Sequence, residues 1–160
     1  MRFALLTAVI AAGWCAVVSA VERTPLPAVE LIGRDGGTVQ ADRTARDGTW
    51  IIMYVHAECR SCEAILAVLD GLDVADGLAR VMIVVDAKDP VALSQTMSRF
   101  PRLGSVQWLA DTSGALGKRV APDVAATILG LRGAMIEWSV TGILTEPVQA
   151  KSIVTAWLTK

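Results

Sequence analysis

Two apolar runs stand out against an otherwise mixed chain. Trp50 to Val55 and Val81 to Val85 contain no charged residue and no polar alternation, which predicts central strands covered on both faces. Between them Ile65, Leu66, Leu69 and Leu72 recur at helical spacing within Glu63 to Leu72. The stretch therefore predicts strand, helix, strand, a βαβ unit whose two strands are parallel. Before it, Glu22 to Pro27 is a polar, proline-bearing lead-in, Ala28 to Ile32 is a short apolar strand, and Asp35-Gly36-Gly37 is a hairpin turn into Thr38 to Gln40. Arg43 to Gly48 is expected to be a charged loop.

The alternation continues in the second half. Pro90 sits like a first-turn helix proline, and Val91, Leu93, Met97 and Phe100 make an apolar helix face ending before Pro101. Val106 to Leu109 predicts a short strand and Gly114 to Val120 a short helix or turn. Thr127 to Leu131 and Met135 to Val140 flank the Arg132-Gly133-Ala134 turn as an antiparallel hairpin. Pro147 opens a last helix with Val148, Ile153, Val154, Trp157 and Leu158 on its apolar side. No internal repeat or low-complexity stretch interrupts this order, which predicts one α/β domain with a mixed sheet.

Composition narrows the reading. A chain of 160 residues with 53% hydrophobic content can bury a proper core. Its formal net charge of −1 gives no electrostatic footprint for nucleic acid or an anionic membrane. The first twenty residues are a separate matter: Arg2, the uncharged apolar run Phe3 to Val18, and Val18-Ser19-Ala20 predict a signal peptide over 1–20, followed by a domain over 21–160. The competing reading is an uncleaved anchor formed by residues 3–18, a run just short of the roughly 17 to 25 residues that span a bilayer. Cys15 follows Trp14, where a lipoprotein signal needs a small residue, so it is read as part of the apolar segment that cleavage removes. Export would place the two remaining cysteines in an oxidising compartment.

Those two lie in Cys59-Arg60-Ser61-Cys62, directly after the first apolar run and at the start of the helical pattern. Thiols at this spacing on a strand-to-helix turn can close a disulfide, and the first gains acidity from the helix amides. The pair is either a redox couple or a static clamp. His56, three residues earlier, is either an ordinary strand-end residue or a proton donor or metal ligand. With Cys59 and Cys62 it would make a soft site for Cu(I) or zinc. Trp50, Trp108, Trp138 and Trp157 fall in strand or helix patterns and are expected to pack. Asp86, Asp89 and Asp111 end strands or open loops and are expected to be solvated turn formers.

Taken together, these segments resemble the thioredoxin fold, in particular the exported TlpA-like thiol-disulfide oxidoreductases. Pro27 to Leu31 through Asp35-Gly36-Gly37 is similar to the N-terminal hairpin of that branch, Trp50 to Cys62 to its strand and active-site turn, and Asp111 to Gly142 to its closing hairpin. The resemblance spans essentially the whole chain after the leader. It implies a three-layer α/β/α arrangement with a mixed central sheet and an N-terminal β-hairpin. It also implies that Cys59 is the attacking nucleophile and Cys62 the resolving thiol, with no cofactor. Arg60 would favour the Cys59 thiolate and Glu58 would oppose it.

The chain departs from that pattern in several places. Glu58 stands where tryptophan is common, Arg60-Ser61 where Gly-Pro or Pro-Pro is familiar, and Met53 where thioredoxin carries a buried acid. The cis-proline that normally faces the disulfide falls on Ala125 or Ala126, or on Pro122 if the loop is longer.

The resemblance implies as partners an exported protein disulfide or dithiol, such as an apocytochrome or a metalloenzyme precursor, and a redox protein that recycles the pair. The alternative is a non-enzymatic copper binder or metallochaperone using Cys59, Cys62 and His56. A peroxiredoxin is disfavoured because no Thr precedes either thiol by three residues.

Overall fold

The computed structural model describes residues 23–57, 59–71, 78–122, 126–142 and 147–159. In chain order the elements are β1 (Thr24–Pro25), β2 (Glu30–Gly33), β3 (Thr38–Gln40), α1 (Ala41–Thr44), β4 (Thr49–His56), α2 (Arg60–Asp70), β5 (Val81–Asp86), α3 (Pro90–Ser98), β6 (Gln107–Ala110), α4 (Gly117–Val120), β7 (Thr127–Arg132), β8 (Met135–Thr141) and α5 (Pro147–Leu158). Two short 3-10 turns, Leu78–Arg80 and Pro101–Ser105, lead into β5 and β6.

All eight strands form one sheet in the order β1-β8-β7-β4-β5-β6-β2-β3. The two apolar runs are its centre: β4 pairs in parallel with β5, with Ile51 opposite Val81 and His56 opposite Asp86. β5 continues in parallel to β6, while β7 joins the other side of β4 antiparallel. The sheet is therefore mixed, and β2 and β3 form the antiparallel hairpin at one edge.

Side-chain alternation divides β4 between two cores. Ile51, Met53 and Val55 face a layer made by α2, α3 and α5, through Ile65, Leu66, Leu69, Leu93, Val154 and Leu158. Ile52 and Tyr54 face the other way, toward Leu31, Ala41, Leu116 and Ala121. Burial on both faces is why no polar alternation exists in this strand. Each such side chain contributes roughly 1.5–3 kcal/mol by leaving water. The three layers are unequal, since the second face is covered by α1, α4 and loops, each of those helices being only four residues long.

Local chemistry sets the boundaries. Asp89 caps α3 by accepting from the Ala92 amide at 2.8 Å, with Pro90 in the first turn. At the β2–β3 turn Gly36 has φ of 79°, and Asp35 accepts from the Gly37 amide at 3.0 Å. The β7–β8 turn places Gly133 and Ala134 at φ of 57° and 61°, the two-residue geometry that matches strand twist. Ala134 is held in that unusual conformation by its amide, which donates to Ala45 O, and its carbonyl, which accepts from Leu26 N, both at 2.8 Å.

The structure corrects several details. Residues 41–44 are helical, so the charged loop begins later than Arg43, and Thr24–Pro25 is a strand bridging β8. A one-turn helix and a two-residue strand are too short to leave a periodicity. Val91 and Val148 are exposed, not on the buried helix faces. Leu72 and residues 1–22 lie outside the described residues.

Candidate dithiol site

β4 ends at His56, and the chain turns at once: the Cys59 amide donates to His56 O at 3.1 Å. Cys59 is the N-cap of α2, and its sulfur accepts from the Cys62 amide at 3.2 Å. A sulfur thus occupies the place that a serine or aspartate oxygen takes at an ordinary helix start. The two cysteines are joined in a disulfide, with Cα atoms 5.2 Å apart. Cys59 is 8% exposed and Cys62 1%, so the first sulfur is the more accessible one and the second lies toward the core.

The surroundings of the disulfide are apolar. Cys59, Cys62, Met53 and Ala126 belong to one buried cluster with Ile65 and Leu66. Met53 is fully buried, so the position of the expected acid holds a thioether. Polar contact comes from Ser61, whose Oγ lies 3.1 Å from the Cys59 sulfur. Arg60 is exposed on the first turn of α2. Glu63, next to Cys62, pairs with Arg99 at the end of α3 and ties the two helices together. Glu58 lies outside the described residues.

Of the three proline-position candidates, Ala126 immediately precedes β7, whose Thr127 pairs with Tyr54, and it is buried beside the thiol cluster. Pro122 is exposed, four residues earlier. Ala125 is outside the described residues, among which no peptide bond is cis.

His56 sits on the Tyr54 face of β4. Its Nδ1 lies 2.9 Å from Asp86 Oδ2, and its ring meets Tyr54 edge-on at 5.5 Å. With Lys118 and Pro122 these residues border a cavity of about 150 Å³. Among the described residues no three His, Cys, Asp or Glu side chains converge as metal ligands, so the structure does not assemble Cys59, Cys62 and His56 into such a set.

Asp111 corrects the expectation of a solvated turn. It is 0% exposed and is the sole fully buried carboxylate among the described residues. Its oxygens accept from the amides of Ala115, Leu116 and Gly117, from Ser113 Oγ at 3.1 Å and from Tyr54 Oη at 3.1 Å. Burial first, then the negative charges of Asp111 and Asp86, push the Tyr54 phenol far above its ordinary value. Asp-Thr-Ser-Gly after an apolar strand carries the signature of such a turn, and only the distance to Tyr54 hides its partner in the sequence. Trp108 and Trp157 are buried as expected, and Trp138 meets Trp157 edge-to-face at 5.5 Å.

No protein-family profile matches the sequence, and no curated protein matches it. Solved structures do. A secreted Mycobacterium tuberculosis disulfide oxidoreductase homologous to E. coli DsbE superposes with a TM-score of 0.65 at 15% identity, covering 81% of this chain and 96% of that one. The pneumococcal exposed lipoprotein thioredoxin Etrx1 of Streptococcus pneumoniae gives 0.58 at 17% identity, over 80% and 98%. BsSco, of the Sco family of cytochrome c oxidase assembly proteins, gives 0.59 at 12% identity, over 86% and 95%. The chain has the thioredoxin fold. Among the proteins that share it are thiol-disulfide oxidoreductases, and the Cys59–Cys62 disulfide lies at the start of the helix that follows a central strand. No described helix is long and apolar enough to cross a membrane.

Proposed function

We propose that this protein is an exported thiol-disulfide oxidoreductase that uses Cys59 and Cys62 to reduce or exchange disulfides in a specific partner protein. The observation that carries the reading is the asymmetry of the pair. Cys59 caps α2 and is the more exposed sulfur, while Cys62 lies one turn deeper.

In the reduced state the α2 amides and the Cys62 N–H favour the thiolate of Cys59. That thiolate attacks a partner disulfide, forming a mixed disulfide and releasing one partner thiolate, which takes a proton from solvent. The Cys62 thiol, losing its proton, then attacks the Cys59 sulfur; the second partner thiolate leaves and is protonated, and Cys59–Cys62 is oxidised. A separate dithiol donor returns the pair to the reduced form.

The partner class is an exported protein with a disulfide or dithiol, such as an apocytochrome or a metalloenzyme precursor. Support for export comes from the apolar N-terminal run and from the secreted character of the Mycobacterium tuberculosis protein. Insulin reduction driven by dithiothreitol tests the catalytic part. Cys59→Ser is expected to lose the acceleration entirely, and retention of wild-type turnover by that variant overturns the reading.

A further inference from the structure

We infer that the Ser61 hydroxyl is a built-in thiolate donor that makes the Cys59–Cys62 disulfide more oxidising; this deepens the oxidoreductase reading and rests on it. Ser61 Oγ lies 3.1 Å from the Cys59 sulfur. A disulfide sulfur carries no proton, so in this state the hydroxyl is the donor and Cys59 the acceptor. The Cys62 amide donates to the same sulfur at 3.2 Å. Two donors therefore converge on one atom, from adjacent residues of the first turn of α2.

Their value differs between the redox states. A neutral disulfide sulfur is a weak acceptor, whereas a thiolate is charged, and hydrogen bonds to charged groups are about twice as strong as neutral ones. The cluster around the sulfurs is otherwise apolar and Met53 supplies no polar group, so a single hydroxyl is weighted heavily there. Ser61 is half-buried, which limits competition from water.

A dithiol gives two electrons to the Cys59–Cys62 bond and closes to its own disulfide; of its two protons, one goes to Cys62 and one to solvent, leaving Cys59 as the thiolate. Ser61 stabilises the product side of that equation. Through one contact it makes the Cys59 thiol more acidic and raises the reduction potential.

The test is a pair of variants in the full chain, Ser61→Ala and Ser61→Thr. Alanine is the better helix former, so folding of α2 is not at risk. Two readouts are taken: the pH dependence of Cys59 alkylation by iodoacetamide in the reduced protein, and the equilibrium of the disulfide with a dithiothreitol buffer. Ser61→Ala is expected to move the alkylation midpoint up by about one pH unit, and to make the disulfide about tenfold harder to reduce, a potential about 30 mV more negative. Ser61→Thr keeps the hydroxyl and is expected to restore most of both shifts. Unchanged midpoint and potential in Ser61→Ala, or equal shifts in both variants, overturn the inference. Alkylation is read whether or not the protein reduces insulin, so failure of the parent reading leaves this result separately interpretable.

Discussion

Tyr54 donates its phenolic hydrogen bond to Asp111, 57 positions later in the chain, at 3.1 Å in a fully buried setting. The pair joins central β4 to the loop that begins after β6. Asp111 also gathers the amides of Ala115, Leu116 and Gly117, so one carboxylate organises the whole turn into α4. That turn leads on to Ala121 and Pro122, and Ala126, just before β7, shares the buried cluster of the disulfide.

Asp111→Ala strands two buried backbone donors, the Leu116 and Gly117 amides, and the Tyr54 hydroxyl, while the half-buried Ala115 amide keeps Ser113 Oγ as an acceptor. Each stranded buried group costs about 1–3 kcal/mol, part of which water entry into the vacated space recovers. Urea denaturation is expected to show a loss of at least about 3 kcal/mol, more than for replacement of any exposed aspartate such as Asp89.

Tyr54→Phe removes one hydrogen bond to a charged acceptor and is expected to cost about 1.5–3 kcal/mol near neutral pH. Its pH signature is more specific. In the unfolded chain the phenol ionises near its ordinary value of 10, while in the fold burial and Asp111 hold it neutral well beyond that. Above about pH 10 the folded state thus binds more protons than the unfolded state, and stability falls as pH rises. Denaturation curves between pH 9 and 11 are expected to show this loss in the wild type, and a shallower loss in Tyr54→Phe.

Gly130→Ala tests the packing between β7 and β8. A Cβ at Gly130 would clash with Trp138, whose ring lies across the glycine. Trp138 must move, and its edge-to-face contact with Trp157 is broken. A loss of about 1–3 kcal/mol is expected, with a changed near-ultraviolet circular dichroism signal from the two indoles.

Reduction of the disulfide is expected to leave the fold intact. The bond spans a sequence separation of 3, and so short a loop contributes only about 2 kcal/mol through chain entropy. Urea titrations of oxidised and reduced protein check this. Unfolding on reduction would identify the bond as a structural clamp, the competing reading of a CxxC in an exported chain.

The central strands, the long helices and the dithiol were legible in the sequence because each depends on a local pattern. Unbroken apolar character marks β4 and β5, helical spacing marks α2, and Cys59-Arg60-Ser61-Cys62 follows its strand directly. What stayed hidden depends on tertiary contact. Asp111 reads as a turn former until Tyr54 is brought to it, and the covering of the second face by four-residue helices leaves no periodic trace. His56 could not be assigned from position alone. The structure turns it toward Asp86, on the side of β4 that Tyr54 occupies. The place of Ala126 directly before β7 follows from the register of Thr127 against Tyr54, a tertiary pairing with no local trace.

Trapping of a mixed disulfide separates an attacking Cys59 thiol from a static disulfide. A reduced Cys62→Ser chain is incubated with a disulfide-containing peptide and analysed by mass spectrometry of its tryptic fragments. A stable adduct is expected on Cys59, which the wild-type chain resolves, with little adduct on Cys62 in the Cys59→Ser chain. Absence of an adduct on Cys59, or equal trapping on Cys62 when Cys59 is removed, would rule out Cys59 as the attacking thiol.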